Sequence, residues 1–164
     1  KNKAKFIGVD IEKDMIEFAQ KKQKKTKLNS KKLNFFNQDV VTYALDSSDL
    51  VISYFTVQFV HPKHRQTLID KIYKSLNWGG AFLFFEKVRY NDARFQDIFT
   101  TLYNDYKLNM GYSHEEILNK TRSLKGVMEP FSSKGNIDML KRAGFVDITT
   151  VVSDICFKGF LAIK

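Results

Sequence analysis

Residues 5–10, KFIGVD, set the strongest limit on what this chain can fold into. The run is short, apolar and β-rich, it ends in an acid, and Ile11-Glu12-Lys13-Asp14 then turn into a helix. Buried parallel strands read as continuous hydrophobic runs. An Asp at the carboxyl end of such a strand stands at the edge of the crevice in which open α/β sheets bind ligands. The two oxygens of Asp10 can accept both hydroxyls of a ribose, a task no apolar side chain can perform. Asp10 is equally suited to cap the following helix, so the strand–Asp–helix unit alone leaves both readings open.

The rest of the chain continues the alternation. The pattern predicts a helix over 12–24 with Met15, Phe18, Ala19 and Lys22 on one side. A strand over 33–38 follows and ends in Asp39, and a strand hydrophobic throughout covers 49–55. Pro62 suits the first turn of a helix, and Leu68, Ile69, Ile72, Tyr73 and Leu76 give it an i, i+3, i+4 stripe. Asn77-Trp78-Gly79-Gly80 ends that helix, with glycines just past the end, and 81–86 form a fourth strand. This β-α-β-β-α-β order of apolar strands points to a parallel sheet. The strongest helix covers 92–107, with Phe95, Ile98, Phe99, Leu102, Tyr103 and Tyr106 on one face. Gly111-Tyr112-Ser113 breaks it, and Ser113 with Glu116 makes a capping box for the next helix. A further helix over 133–143 closes at Gly144, and two β runs, 146–152 and 155–163, complete the chain.

At 164 residues the chain fits a single domain. Cys156 is the one cysteine, so no disulfide can form within the chain, which suits a reducing compartment. No apolar run approaches a membrane span, and the start, KNKAKFIG, is no signal peptide; the expected location is the cytoplasm. His61, His64 and His114 lack metal-ligand spacing to one another or to Cys156, so no metal is expected. The net charge is +9, and residues 21–32, KKQKKTKLNSKK, hold seven lysines. Such a run can serve as a nucleic-acid or acidic-partner patch. It has no Arg, no aromatic interleaving and no Gly-rich clamp, so a solvated helix end and loop is the better reading.

The helix–strand–strand ending, with no helix between the last two strands, resembles the class I S-adenosylmethionine-dependent methyltransferase fold. That resemblance implies an α/β class: a doubly wound, mostly parallel Rossmann-like sheet whose last strand is antiparallel. In that fold the acid-ended strand is the second one. A first strand and a glycine-rich turn that cradles the methionine part of the cofactor precede it. The expectation is that 1–164 form one cofactor-binding domain lacking that first βα unit, with a helical insertion over about 91–128. Asp10 would hold the ribose hydroxyls and Asp39 would accept the adenine amino proton. The Val40 backbone would meet the adjacent ring nitrogen, and Tyr54 and Phe55 would wall the cleft.

Over 55–87, FTVQFVHPKHRQTLIDKIYKSLNWGGAFLFFEK, the chain resembles the carboxy-S-adenosyl-L-methionine synthase family. The resemblance continues through NMGYSHEEILNKTRSLKGVMEP and LKRAGF. It implies transfer of a carboxylate derived from prephenate onto the methyl carbon of S-adenosyl-L-methionine, leaving phenylpyruvate and water. The product, carboxy-S-adenosyl-L-methionine, serves a partner enzyme that modifies a tRNA wobble uridine. By position, Asp10 and Ile11 fall on the family's ribose-binding pair and Asp39 and Val40 on its adenine-binding pair. Arg122 falls on the arginine that holds the new carboxylate, a role a bidentate guanidinium suits. Tyr54 stands where better-known members have Asn. The resemblance also implies a homodimer, and the aromatic face of 92–107 is expected to be core or subunit interface. Glu86-Lys87 reads either as a structural ion pair or as lining of the acceptor pocket. Two other functions fit the same fold: an ordinary methyltransferase acting on a small molecule or tRNA, and a non-catalytic methyltransferase-like subunit.

Overall fold

A computed structural model describes residues 4–26 and 32–164, so the part of the lysine run over 27–31 lies outside the described residues. Two compact units make up the chain, Lys1–Ala44 and Leu45–Lys164.

The first unit holds β1 (Phe6–Asp10), α1 (Lys13–Lys25) and β2 (Leu33–Asn37). The strands pair in parallel from Phe6↔Leu33 to Asp10↔Asn37. Gly8 faces Phe35 across this pair, and a Cβ at Gly8 would come within 2.6 Å of the Phe35 ring, so only glycine lets the ring lie flat there. Helix α1 turns a neighbouring line inward, not the side that carries Met15 and Phe18. Its buried residue is Ile16, whereas Met15 and Phe18 are 56% and 63% exposed. The line turned inward is Ile16, Ala19 and Gln23, spaced i, i+3, i+7. Gln23 Nε2 donates to the Leu33 carbonyl at 2.9 Å and ties the helix to β2. Lys22, Lys24 and Lys25 occupy the last turn of α1 and are exposed, where they complement the helix dipole.

The second unit runs β3 (Ser48–Tyr54), a 3-10 turn (Val57–Phe59), α2 (Pro62–Ser75), β4 (Leu76–Lys87), α3 (Ala93–Asn109), α4 (His114–Ser123), α5 (Ser133–Ala143), β5 (Asp147–Asp154) and β6 (Phe157–Ile163). The sheet order is β3-β4-β6-β5. Strand β3 is parallel to β4, and β6 is antiparallel to both its neighbours, as the helix–strand–strand ending predicts. Helix α2 stops at Ser75, and Leu76 already belongs to β4. The expected helix end at Asn77-Trp78-Gly79-Gly80 is instead a bulge inside the strand. Ser48 pairs with Leu76 and Leu50 with Ala81, and the surplus residues turn at Gly79 with φ +75°.

The core lies between the sheet and the α2–α5 pair. Leu68, Ile69 and Ile72 of α2, Phe82 and Phe84 of β4, and Met139 and Leu140 of α5 are buried there. The Phe82 ring stacks on Phe84 at 5.4 Å and on Phe145 at 6.1 Å. Helix α3 starts on an Asp92 cap and α4 on the expected Ser113–Glu116 capping box. The aromatic face of α3 divides. Phe99 stacks on Tyr90 at 4.1 Å and Tyr103 meets Phe157 at 5.2 Å, while Phe95, Ile98, Leu102 and Tyr106 are exposed. Among the described residues no helix is long and apolar enough to cross a membrane.

Candidate functional site

In the first unit two carboxylates stand at one edge. Because β1 and β2 are parallel, Asp10 and Asn37 end their strands side by side, and Asp39 lies two residues beyond. The cap of α1 is Glu12, not Asp10. Asp10 Oδ1 accepts the Glu12 N–H at 2.8 Å, which fixes the carboxylate two residues ahead of the helix. Its other oxygen has no hydrogen-bond partner among the described residues. Asp39 repeats the device: Oδ1 accepts the Val41 N–H at 2.8 Å, and its carbonyl accepts Thr42 and Tyr43 N–H at 3.1 and 2.9 Å. Each acid is thereby held by one oxygen with the second available to a ligand. Asn37 escaped the sequence reading. Its Nδ2 donates to the Asp10 and Ile11 carbonyls at 3.1 and 2.7 Å, and so pins the strand end. The available signal was an amide two residues before a strand-end acid. Ile11 and Val40 directly follow the two acids.

In the second unit the carboxyl edge of β3 and β4 opens onto a cavity of about 350 Å³. Tyr54, Phe55, Phe85, Tyr103, Phe157 and Lys158 are among its walls. Phe55 has φ +56°, rare for an aromatic residue, and its N–H donates to the Phe85 carbonyl at 2.9 Å. Tyr54 is 66% exposed, with its ring 5.3 Å from that of Phe85.

Glu86 and Lys87 do not pair with each other. Successive strand residues point to opposite faces. Glu86 goes into the core, 3% exposed, and accepts the Val57 N–H at 3.1 Å. Burial pushes its carboxyl up to about 8, against the pull of the Val57 hydrogen bond and the Arg65 charge. Lys87 goes the other way, and its Nζ lies 5.0 Å from the centre of the Tyr103 ring.

Arg122 lies in the last turn of α4, exposed, and its guanidinium has no hydrogen-bond or ion-pair partner among the described residues. It shares no hydrogen bond or ring contact with Tyr54. Asp10, Ile11, Asp39 and Val40 are thus gathered on one strand edge of the first unit, while Tyr54 and Arg122 occupy separate places in the second. His61 caps α2, its Nδ1 accepting the Lys63 N–H at 3.3 Å.

Comparison with known proteins defines the family. A methyltransferase-domain family model matches residues 1–80. A carboxy-S-adenosyl-L-methionine synthase of Campylobacter jejuni is 38% identical over 160 residues, 98% of this chain and 67% of the relative. The enzyme of the same name from Staphylococcus epidermidis is 32% identical over all 164 residues and 70% of its own length. That from Campylobacter lari is 35% identical over 157 residues, 96% of this chain and 66% of the relative. The chain therefore spans about two thirds of the length of these relatives. Solved structures establish the fold. Human N-acetylserotonin methyltransferase in complex with S-adenosylmethionine superposes with a TM-score of 0.58 at 18% identity, over 97% of this chain and 39% of that one. PigF with S-adenosylhomocysteine gives 0.60 at 14% identity, over 97% and 43%. On these grounds the chain has the α/β fold of class I methyltransferases and belongs to the carboxy-S-adenosyl-L-methionine synthase family.

Proposed function

We propose that the protein converts S-adenosyl-L-methionine and prephenate into carboxy-S-adenosyl-L-methionine, phenylpyruvate and water. The observation that carries the reading is the identity of 38% to a protein of that name, sustained across 98% of the chain. The two carboxylates of the first unit fit the nucleoside half of the cofactor. Each keeps an oxygen for a donor, Asp10 for the ribose hydroxyls and Asp39 for the adenine amino group. Ile11 packs beside the ribose and the Val40 backbone meets the ring nitrogen. The cofactor supplies the methyl carbon that receives the carboxylate. Arg122, with its unpaired guanidinium, holds the new carboxylate bidentately. Tyr54 contributes its main chain to the cleft wall. The exposed half of the α3 face, Phe95, Ile98, Leu102 and Tyr106, suits a second copy of the chain, giving a homodimer. The product feeds a tRNA-modifying partner enzyme in the cytoplasm.

The test is the fate of the cofactor. With the full-length protein, prephenate and S-adenosyl-L-methionine, mass spectrometry is expected to find a cofactor product heavier by one carboxylate. Formation of S-adenosylhomocysteine in its place would make this an ordinary methyltransferase. Arg122→Ala should weaken carboxylated cofactor at least tenfold more than the ordinary one, a difference of about 1.4 kcal/mol. A parallel change in both affinities would leave Arg122 a surface residue.

A second expectation concerns the nucleoside end. Asp10→Ala removes the oxygen available to the ribose and loosens the turn into α1, whereas Asp10→Asn keeps the Glu12 contact. Hydrogen bonds to charged groups contribute roughly 1.5–3 kcal/mol each. Calorimetry should find the alanine variant at least tenfold weaker for S-adenosyl-L-methionine, with asparagine in between. Equal affinities would remove Asp10 from the cofactor site.

A further inference from the structure

Charge is unevenly placed in the first unit. Asp10 and Asp39 stand at or just past the strand ends, and Glu12, Asp14 and Glu17 lie in the cap and first two turns of α1. From Phe18 to Gln38 the chain has no acid and seven lysines. Helix α1 returns against the direction of β1, so its end comes to the amino edge of the two strands. The bond from Gln23 to the Leu33 carbonyl fixes it there, beside the start of β2. Lys21, Lys22, Lys24 and Lys25 therefore stand at that edge. The Phe6 N–H donates to the Lys32 carbonyl at 2.6 Å, which brings Lys5 and Lys32, the residues just ahead of the two strands, to the same place. All six lysines are exposed. Among the described residues of the unit no carboxylate shares that edge, and the ion pair of Lys13 with Glu17 belongs to the other end of α1.

The lysine run alone reads as a solvated helix end, but the fold adds to it. The helix dipole accounts for Lys22, Lys24 and Lys25 in the last turn, and not for Lys5 and Lys32, which are on no helix. Like charges on one surface repel one another in the free protein and become favourable beside a polyanion. Lys24 also lines a cavity of about 280 Å³ between α1 and β2. Gln20, Asn34 and Phe36 line it too, and all are exposed. The amides offer donors and acceptors together, and the ring offers a stacking surface. The aromatic group that the run itself lacks thus reaches it across the fold. A cavity of this size suits a group no larger than one nucleobase with its sugar. An acidic peptide would need the lysines and make no use of the cavity. The absence of arginine fits contacts to phosphates, which position a strand without reading its sequence.

We propose that the amino edge of the first unit binds single-stranded nucleic acid, with the lysines on successive phosphates and one base in the cavity beside Lys24. Gln20 and Asn34 meet the edge of that base and Phe36 its face. The surface lies at the opposite end of the strands from Asp10 and Asp39, so a strand bound there leaves the cofactor edge open. Most of the contacts are to the backbone, so selectivity among sequences is weak. The proposal goes beyond the reaction given above and does not depend on it.

The experiment uses the full-length protein and fluorescence anisotropy over a range of salt, with labelled RNA and DNA strands of about 12 nucleotides, within the span of known single-strand sites. The tighter of the two strands identifies the sugar preferred. The triple variant Lys22→Gln, Lys24→Gln, Lys25→Gln keeps good helix formers and removes three charges. It is expected to bind at least tenfold more weakly. Its plot of log affinity against log salt should flatten by about 2, since each single-strand phosphate contact contributes about 0.7 to the slope. Asn34→Ala should weaken the strand at least threefold with the salt slope unchanged, because it touches the base and not the phosphates. Lys13→Gln, at the other end of α1, removes the same kind of charge and should leave binding as in the wild type. Affinity for S-adenosyl-L-methionine should be unchanged in all three. The proposal is overturned if neither strand binds the wild-type protein, if the triple variant keeps the wild-type affinity and slope, or if Lys13→Gln costs as much per charge. Poly-glutamate of equal charge, duplex of equal length or anionic vesicles binding as tightly as the single strand would also overturn it, leaving a face for polyanions in general.

Discussion

Arg65→Ala is expected to lower the stability of the second unit by roughly 3–5 kcal/mol, since each hydrogen bond from a charged donor contributes roughly 1.5–3 kcal/mol and three are lost. Arg65 is 2% exposed at the start of α2, and three of its nitrogens are engaged. Nε donates to the Val60 carbonyl at 2.7 Å, Nη1 to Glu129 at 2.6 Å and Nη2 to Gln58 at 3.0 Å. Its guanidinium also covers the Phe131 ring at 4.5 Å. One side chain thereby holds together the turn after β3, the first turn of α2 and the segment ahead of α5. Removing it leaves three inward carbonyls short of a donor, at about 1–3 kcal/mol for each that water cannot reach. It also takes away the positive charge nearest Glu86. Lysine has one ammonium in place of a planar fork, so Arg65→Lys should recover less than half of the loss. Urea denaturation measures the effect directly. Hydrogen exchange at Glu129 should accelerate in parallel, because its N–H donates to the Gln58 carbonyl that Arg65 also holds. A variant whose midpoint stays within experimental error of wild type would show that water replaces all three contacts.

Arg65 also marks where the sequence was legible and where it was not. Three local signals with a defined chemistry were read correctly, although the glycines at 79 and 80 mark a bulge in β4 and not a helix end. Gly144 closes α5 at φ +115°, Ser113 with Glu116 caps α4, and Pro62 opens α2. The strand-end acids Asp10 and Asp39 were visible because an acid after an apolar run is a local pattern. The inward line of α1 was not legible, because Met15 and Phe18 outrank Gln23 in hydrophobicity and yet stay exposed. The position of Ile16 and the Gln23–Leu33 bond decide otherwise. Glu86-Lys87 stayed ambiguous because adjacent residues on a strand face opposite environments, and only the assembled sheet says which side is core. The meeting of Lys5 with Lys32 depends on the parallel pairing of β1 with β2, so no local pattern encodes it. Arg65 was accessible in principle. It begins the stripe completed by Leu68, Ile69 and Ile72, spaced i, i+3, i+4, i+7, and a charged residue on that line asks for buried acceptors.

The other large effect expected is a loss of stability as pH rises, carried by Glu86. Its carboxyl is raised from an ordinary value of 4.5 to about 8, chiefly by burial. The Val57 and Gln58 hydrogen bonds and the Arg65 charge pull the other way without overcoming it. Between those two values the folded protein keeps a proton that the unfolded chain has released. Stability from this group is therefore complete below about pH 4.5, falls through the interval, and is lost above about pH 8. The slope is at most about 1.4 kcal/mol per pH unit, so the full interval amounts to a few kcal/mol. The other carboxylates with displaced values, Glu116 and Asp138, are lowered, so their titration lies below this window. Glu86→Gln isolates the effect. The amide oxygen can still accept the Val57 N–H, as Glu86 Oε1 does at 3.1 Å, and the side chain never ionises. At pH 5.5 the variant should match wild type within about 1 kcal/mol, the net contribution of one ordinary hydrogen bond. At pH 8.5 it should be the more stable of the two by about 2 kcal/mol or more, as the linkage requires. Urea midpoints at both pH values decide it: parallel declines in the two proteins would mean that Glu86 stays charged in the fold, held by Arg65 across the core.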